Sequence, residues 1–438
     1  MSIAINEPVS GSSQLVRWCR LLAAVMPAVL IGYSALLDPL LNFKLAQGFD
    51  YGGVVVGDEG KSRTLTRVLM PGFLALALGL AFATGPALNR NIRTLLLAGA
   101  SFLLLAALSA VWSRSASTTL NLAVYQAILY CSLGLFVVTA NNPQLIVRST
   151  LVMFSAVVGA NLVALALFPA GEFGHAGIYP HKNTLGVAAG SAFLFGLFCL
   201  FEGRLFLRST ALFAVLGSAA IVLASSSKTA FALMFVAPMI AFGLFTVWRT
   251  LRLGPIPGAL LATMLMASLF VIGSSAFGFT TDDVLVVIYG DASFTGRTEI
   301  WGFAMDYFRE APLFGNGYRG FWGLGTAAPK HGSEIEFIRT IGSAHSGYVD
   351  ILLDLGILGL SLLTIYVVLT IALIGKFSLR PTSRSLLYLS VVFFMLGRNA
   401  MESVILWSSF FDNLTFLLVG FLACYAEAER DRRRSFLR

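Results

Sequence analysis

Apolar runs of about 20 residues, the length at which an α-helix crosses a bilayer's hydrocarbon core, recur along this 438-residue chain. Inside hydrocarbon every backbone N–H and C=O needs a partner within the protein, which leaves only helices or closed barrels. Runs this long select helices. Charged residues make up only 12% of the chain, about half the share found in a soluble domain. The expected fold class is therefore an all-α polytopic membrane protein. About twelve spans are read, near 18–40, 66–84, 94–112, 120–140, 147–168, 183–201, 209–226, 229–247, 256–279, 347–374, 384–398 and 404–425. This divides the chain into 1–279 with spans one to nine, a large loop over 280–346, and 347–438 with spans ten to twelve and a basic tail. No internal repeat is evident. Residues 1–16 are polar, and the first apolar run is long enough to stay as a membrane helix rather than a cleaved signal peptide.

The net charge of +8 does not point to nucleic acid, because the cations stand singly between apolar spans. Topology explains them better. With the N-terminus cytoplasmic, the inner segments hold Arg17, Arg20, Arg90, Arg93, Arg148, Arg204, Arg208, Arg249, Arg252, Lys376, Arg380, Arg384 and the C-terminal arginines. The short outer turns hold only Arg114, Lys182, Lys228 and Arg398. Both termini come out cytoplasmic, and the 280–346 loop lies outside. His175, His181, His331 and His345 then all fall on the outer side. The basic stretch Arg430–Arg434 suits an anionic inner leaflet. Cys19, Cys131, Cys199 and Cys424 are far apart, show no metal spacing, and are not expected to form disulfides.

The outer loop meets an apolar helix at Ser343-Ala-His-Ser-Gly347, with His345 at the junction. Two readings stand. The imidazole is either a helix-end group held by local hydrogen bonds or a general base, since it titrates near neutrality. Asp350 and Asp354 are the nearest following carboxylates. Helical phase turns them roughly 140° and 180° away from His345, so they are expected to meet polar groups elsewhere.

Other outer-side groups carry the same double reading. His181-Lys182-Asn183 is either a helix cap or a phosphate-binding cation beside helix N-terminal amides. Ser225-Ser-Ser-Lys228 is either a serine-capped turn or a second cation at a helix start. Arg398 and Glu402 have the i, i+4 spacing of an ion pair. In the loop, Ile300, Trp301, Ala304, Tyr307 and Phe308 make one apolar helical face, with Arg297 at its start. Such a helix can lie on the membrane surface or roof the bundle. Pro312 ends it, Gly315–Trp322 reads as a turn with aromatic anchors, and a polar, mobile segment is expected from there to His345. A group of cations without a matching carboxylate cluster suits a pyrophosphate or dianionic ligand. No P-loop, dinucleotide fingerprint, paired-carboxylate metal site or Gly-x-Ser-x-Gly is present.

Several stretches occur in a recognisable order: His181-Lys-Asn-Thr-Leu-Gly186, Ser227-Lys-Thr-Ala230, Gly296-Arg-Thr-Glu-Ile-Trp301, Pro312-Leu-Phe-Gly-Asn-Gly317 and His345-Ser-Gly-Tyr with Leu355-Gly-Ile-Leu-Gly359. This set resembles the O-antigen ligase and Wzy-type polysaccharide polymerase superfamily. Its flavour is closest to ExoQ-like exopolysaccharide polymerases. The resemblance implies a GT-C-like glycosyltransferase of the bacterial inner membrane that works at the periplasmic face, without metal or cofactor. It implies an undecaprenyl-diphosphate-linked glycan as donor, and a lipid-linked glycan or lipid A core as acceptor. By that analogy His345 is catalytic, and Arg297, Lys228 and Lys182 bind the donor diphosphate. His181, Arg398, Glu402 and Trp301 are supporting candidates. A flippase and a chain-length regulator are the implied protein partners. The chain departs from the common pattern at Lys228, where arginine is usual, and at Ser346, where asparagine is frequent.

The reading that follows is a polymerase of lipid-linked repeat units, with an O-antigen ligase as the alternative. A lipid or sugar transporter is the reading from a different class. It has no need of a large one-sided loop, and the spans show no paired interrupted helices of the kind transporters use.

Overall fold

A computed structural model describes residues 11–41, 60–86, 88–171, 174–201, 205–254, 256–258, 297–322, 328–376, 382–407 and 411–425. The described residues are almost entirely helical. α1 runs over Gly11–Gly32 and continues through a π-turn at Tyr33–Leu37 into Asp38–Leu41. α2 is Gly60–Thr84, α3 Arg90–Leu108, α4 Ala116–Ala140, α5 Pro143–Leu167, α6 Lys182–Cys199, α7 Leu205–Ser225 and α8 Lys228–Leu251. After the loop helix α9, Arg297–Glu310, come α10 (Gly347–Gly375), α11 (Ser383–Met401) and α12 (Phe411–Ala423).

Among the described residues, nine helices are long and apolar enough to cross a membrane. The protein is an all-α, multi-pass membrane protein. Local chemistry sets many of the helix starts. Asn89 caps α3 by accepting from Ile92 N at 2.8 Å. Asn142 caps α5 ahead of Pro143, which supplies a pre-set φ at the first helical position. Thr382 and Ser385 make a reciprocal capping box on α11. The most enclosed span is α6, wedged between α7, α8 and α11, with 72% of its apolar window buried against 17% for α2. The candidate site described below therefore begins on the innermost helix. The four cysteines are free thiols.

Two departures from the sequence reading matter for the site, and one expectation lies outside the described residues. The expected ninth span falls outside the described residues beyond 258, as does the loop start 280–296. Within the expected last span, 404–425, the described helix is Phe411–Ala423. Just before it, the chain from Glu402 to Trp407 is irregular because amide side chains capture its backbone. Asn399 Oδ1 accepts from Val404 N and Ile405 N, each at 3.0 Å, and Asn413 Oδ1 accepts from Leu406 N at 2.9 Å.

The second departure is in α10, which is interrupted at Gly356 (φ 65°, ψ −162°). The turn Pro312–Gly317 fills the gap. Asn316 N and Gly317 N donate to the freed carbonyls of Leu353 and Asp354 at 2.9 and 2.8 Å. Ile357 N and Leu358 N donate to Pro312 O and Leu313 O at 2.8 and 3.3 Å. A side chain at Gly356 would start 2.4 Å from the Leu313 backbone, so the interruption demands glycine there. The backbone groups that a broken membrane helix must satisfy are thus taken by the chain's own loop.

Above this junction α9 lies across α10. Ile300 and Ala304 are buried with Phe321, Trp322, Ile338, Ala344 and Leu353 in a second apolar cluster, which fits the expected roofing helix. Residues 328–345 do not behave as a loose polar strap. They carry two short 3-10 turns, Pro329–Gly332 and Glu336–Arg339. Lys330 Nζ donates to Ile341 O at 2.6 Å and Arg339 Nε to Ser333 O at 2.8 Å, fastening the segment to itself.

Candidate active site at the rim of α10 and α11

Glu402 is the hub. It follows the last turn of α11, where its N–H donates to Arg398 O at 2.9 Å. Its Oε2 lies 3.2 Å from His345 Nδ1. Its Oε1 lies 3.7 Å from Arg398 Nη1 and accepts from Asn183 Nδ2 at 3.3 Å. Ser227 Oγ donates to Asn183 Oδ1 at 3.4 Å. The starts of α6, α8 and α10 and the end of α11 therefore converge on one carboxylate.

Arg297 enters from above. Its Nη1 is 3.6 Å from Met401 Sδ, and its charge acts on Glu402. Lys182 and Lys228 stand at the first positions of α6 and α8, each within electrostatic range of the other. Lys182, Lys228, Arg297 and Arg398 are thus gathered in one region with His181 and His345, whereas Arg114 lies over the Tyr307 ring, 5.9 Å from its centroid.

The electrostatics follow from that crowd. Burial pushes the Glu402 carboxyl up, but Arg398, His345 and Arg297 together hold it down at about 2. Glu402 is therefore a carboxylate, and a carboxylate only accepts hydrogen bonds. His345 Nδ1 must be the donor, which leaves the Nε2 lone pair free in the neutral ring. Burial pushes His181 down, and Arg398, His345 and Lys182 add to that shift while Glu402 opposes it. His181 Nδ1 caps α6 by accepting from Asn183 N at 3.1 Å.

The turn that carries His345 is held from two directions. His345 is in the left-handed region, φ 49°, which is uncommon for a residue with a Cβ. On one side, Trp301 Nε1 donates to Ala344 O at 3.0 Å. On the other, Asp350, fully buried, accepts from Ala344 N at 3.0 and 3.1 Å and from Trp322 Nε1 at 2.7 Å. Asp350 also accepts a hydrogen bond from Ser403 Oγ. One carboxylate thereby holds the residue before His345 and the residue after Glu402.

As helical phase required, neither Asp350 nor Asp354 reaches His345. Asp354 instead accepts from Arg319 N and Trp407 Nε1, both at 2.8 Å. Trp301 serves the backbone of the turn. Ser227 does not cap α8, because its hydroxyl is engaged with Asn183. The partner that sequence reasoning missed is Glu402 for His345. Its spacing to Arg398 was visible, but nothing in the sequence links position 402 to one 57 residues away.

Residues 212–364 match the model of the O-antigen ligase family. This similarity bears out the superfamily resemblance of the sequence and supports a function of the O-antigen ligase and polymerase type. The matched stretch holds Lys228, α9, His345 and the interruption of α10. Asn183, Arg398 and Glu402 lie outside it. No curated protein matches the chain.

Proposed function

We propose that the protein is a metal-independent glycosyltransferase that polymerises undecaprenyl-diphosphate-linked oligosaccharide repeat units at the periplasmic face of the bacterial inner membrane. The observation that carries this reading is the meeting of His345 with Arg398 and Arg297 around Glu402, with Lys182 and Lys228 at the starts of α6 and α8 beside it, Lys182 within reach of His181 and of Lys228. Polymerising or attaching a glycan from a diphosphate carrier needs two things: a base for the acceptor hydroxyl, and charge to stabilise the leaving diphosphate.

His345 Nε2 takes the hydroxyl proton. The acceptor oxygen attacks the donor's anomeric carbon, and the bond to the diphosphate oxygen breaks. Arg297, with its planar fork, and the two lysines hold the diphosphate as its charge develops. Helix amides at the start of α8 add to this, because the hydroxyl that would cap them points to Asn183. Glu402 fixes the His345 tautomer. Arg398 and Asn183 neutralise and hold Glu402 so that it does not repel the anion.

The layout that goes with this reading keeps 280–346 outside, between spans one to nine and the last three. A chain-length regulator and a flippase are its expected partners. The second reading, an O-antigen ligase that moves the finished glycan to lipid A core, is favoured by the description of the matching family. The transporter reading is less favoured, because among the described residues the break of α10 at Gly356 has its freed backbone groups taken by the loop Pro312–Gly317.

Reconstitution with lipid-linked repeat units decides among these. A ladder of products on a gel, unchanged by a chelator, is expected. Transfer only to lipid A core would establish the ligase, and an unconsumed donor with both acceptors present would overturn the enzyme reading.

A further inference from the structure

One cation of the same layer takes no part in the cluster at Glu402. Arg319 belongs to the turn Gly317-Tyr-Arg-Gly320 and sits in the left-handed region, φ 53°. Its backbone N–H is fixed on Asp354 Oδ2, the oxygen that also receives the indole N–H of Trp407. These two bonds, each 2.8 Å, set the guanidinium above the Trp407 ring, with Cζ 4.4 Å from the centroid. Both side chains are partly exposed. Among the described residues no hydrogen bond or ion pair engages the guanidinium. A stacked guanidinium keeps its N–H edge for a planar or tetrahedral anion, and stacking has already fixed its orientation.

The height of this group in the bundle narrows the anion. Asp354 is one helical turn further along α10 than Asp350. The turn bound there begins with Leu313 and Phe314, which are 60% and 52% exposed. Trp112, at the end of the α3 segment, donates its indole N–H to Phe314 O at 3.3 Å and meets the Phe314 ring edge-on at 5.8 Å. An exposed tryptophan with a satisfied N–H at the end of an apolar span marks the headgroup layer of a membrane. Arg319 is five residues from Phe314 and tied to the same turn of α10, so it lies at the level of lipid phosphates. Tyr125 of α4 is within electrostatic reach of it, as it is of Asp38 at the end of α1. These surroundings differ from those of Arg297 and Arg398, whose charges act on Glu402 from α9 and α11.

We infer that Arg319, stacked on Trp407, is a second anion subsite that takes the phosphate of a lipid-borne acceptor. Calling that lipid the acceptor rests on the function proposed above; the subsite itself does not. Asp350 serves the His345–Glu402 side and Asp354 the Arg319–Trp407 side. Being four residues apart on α10, they set the two subsites on one spine, so an acceptor phosphate held at Arg319 would leave its sugar to extend towards His345.

The test is a binding titration of the purified full chain in detergent, with farnesyl diphosphate as the probe. Wild type should bind two equivalents. Arg319→Ala should lose one, with affinity at that subsite down about 10- to 100-fold, and Arg297→Ala should lose the other. Arg319→Lys, which keeps charge without the stacked fork, should fall between wild type and Arg319→Ala, and it remains informative if the alanine variant fails to fold. A single equivalent, lost in Arg297→Ala and kept in Arg319→Ala, would overturn this inference and leave the donor site standing. A single equivalent with the opposite pattern would uphold the Arg319 subsite and overturn the donor assignment. Absence of binding would overturn both. Inorganic pyrophosphate should bind the Arg319 subsite at least tenfold more weakly than farnesyl diphosphate. Equal binding would overturn the lipid-borne source.

Discussion

Asp350 and Glu402 are carboxylates on either side of one small turn, and they are held in opposite ways. Asp350 is fully buried and engaged by a backbone amide, an indole and a hydroxyl, with no cation hydrogen-bonded to it. Glu402 sits at the rim, paired with Arg398 and His345, and its charge is held in place by cations. The first arrangement fastens chain segments together. The second sets a charge, and with it a tautomer. On the function proposed above, two acidic residues so close in space divide the work between architecture and chemistry. Substitutions should separate them, because an architectural group controls how much protein folds and a chemical group controls what each folded molecule does.

The largest effect is expected at His345. His345→Ala should fold, bind donor and lose about 100- to 10,000-fold in turnover, the range of a positioned general base. Purified protein at near wild-type rate would reduce His345 to a helix-end group. Arg297→Ala comes next, with a loss of roughly 30- to 1000-fold for one missing contact to the developing diphosphate. Arg297→Lys should recover part of that, since the charge returns without the fork. Unchanged activity in Arg297→Ala would remove it from the site.

Glu402→Gln and Asp350→Asn make the comparison itself. The glutamine variant keeps shape and loses charge, so it should reach normal yield with turnover down about 10- to 100-fold, the value of one charge-assisted hydrogen bond. The asparagine variant turns an amide N–H₂ towards donors that need an acceptor. It should lower the amount of folded protein, while the molecules that do fold keep most of their specific activity. If Asp350→Asn instead folds normally and fails in catalysis, the division between the two carboxylates is wrong.

These contrasts also show what could be read before the structure was known. The nine spans found among the described residues, the roofing helix that begins at Arg297 and the gathering of Lys182, Lys228, Arg297 and Arg398 follow from periodicity and charge placement, which are local properties. The turn of Asp350 and Asp354 away from His345 was likewise fixed by helical phase. Glu402 as the partner of His345 was not legible, because it depends on α11 ending beside α10. The interruption at Gly356 was hidden for a related reason. Leu355-Gly-Ile-Leu-Gly359 is apolar throughout, and only the loop at Pro312–Gly317, distant in sequence, supplies the hydrogen bonds that let the helix open. Ser227 looked like a cap because its position fits one, yet a tertiary partner, Asn183, claims its hydroxyl.

The smallest effect concerns pH, where Glu402 and His181 should part company. The folded Glu402 carboxyl stands at about 2 against an ordinary 4.5. Its contribution to stability is complete above 4.5 and is lost only as pH falls through about 2, so acidification from pH 7.5 to 5.5 should leave it untouched. His181 is shifted below its ordinary 6.5, first by burial. A histidine with a lowered folded value favours the folded state fully above 6.5 and loses that contribution as pH falls through the folded value, because the unfolded chain takes up the proton first. Thermal unfolding between pH 7.5 and 5.5 should therefore show a decrease on the order of 2 °C assignable to His181. His181→Asn keeps an oxygen at the cap of α6 and removes the titrating group, so it should flatten that decrease. Glu402→Gln should retain it. A decrease that survives in His181→Asn and disappears in Glu402→Gln would mean that the carboxylate titrates in this range, and the tautomer assigned to His345 would lose its basis.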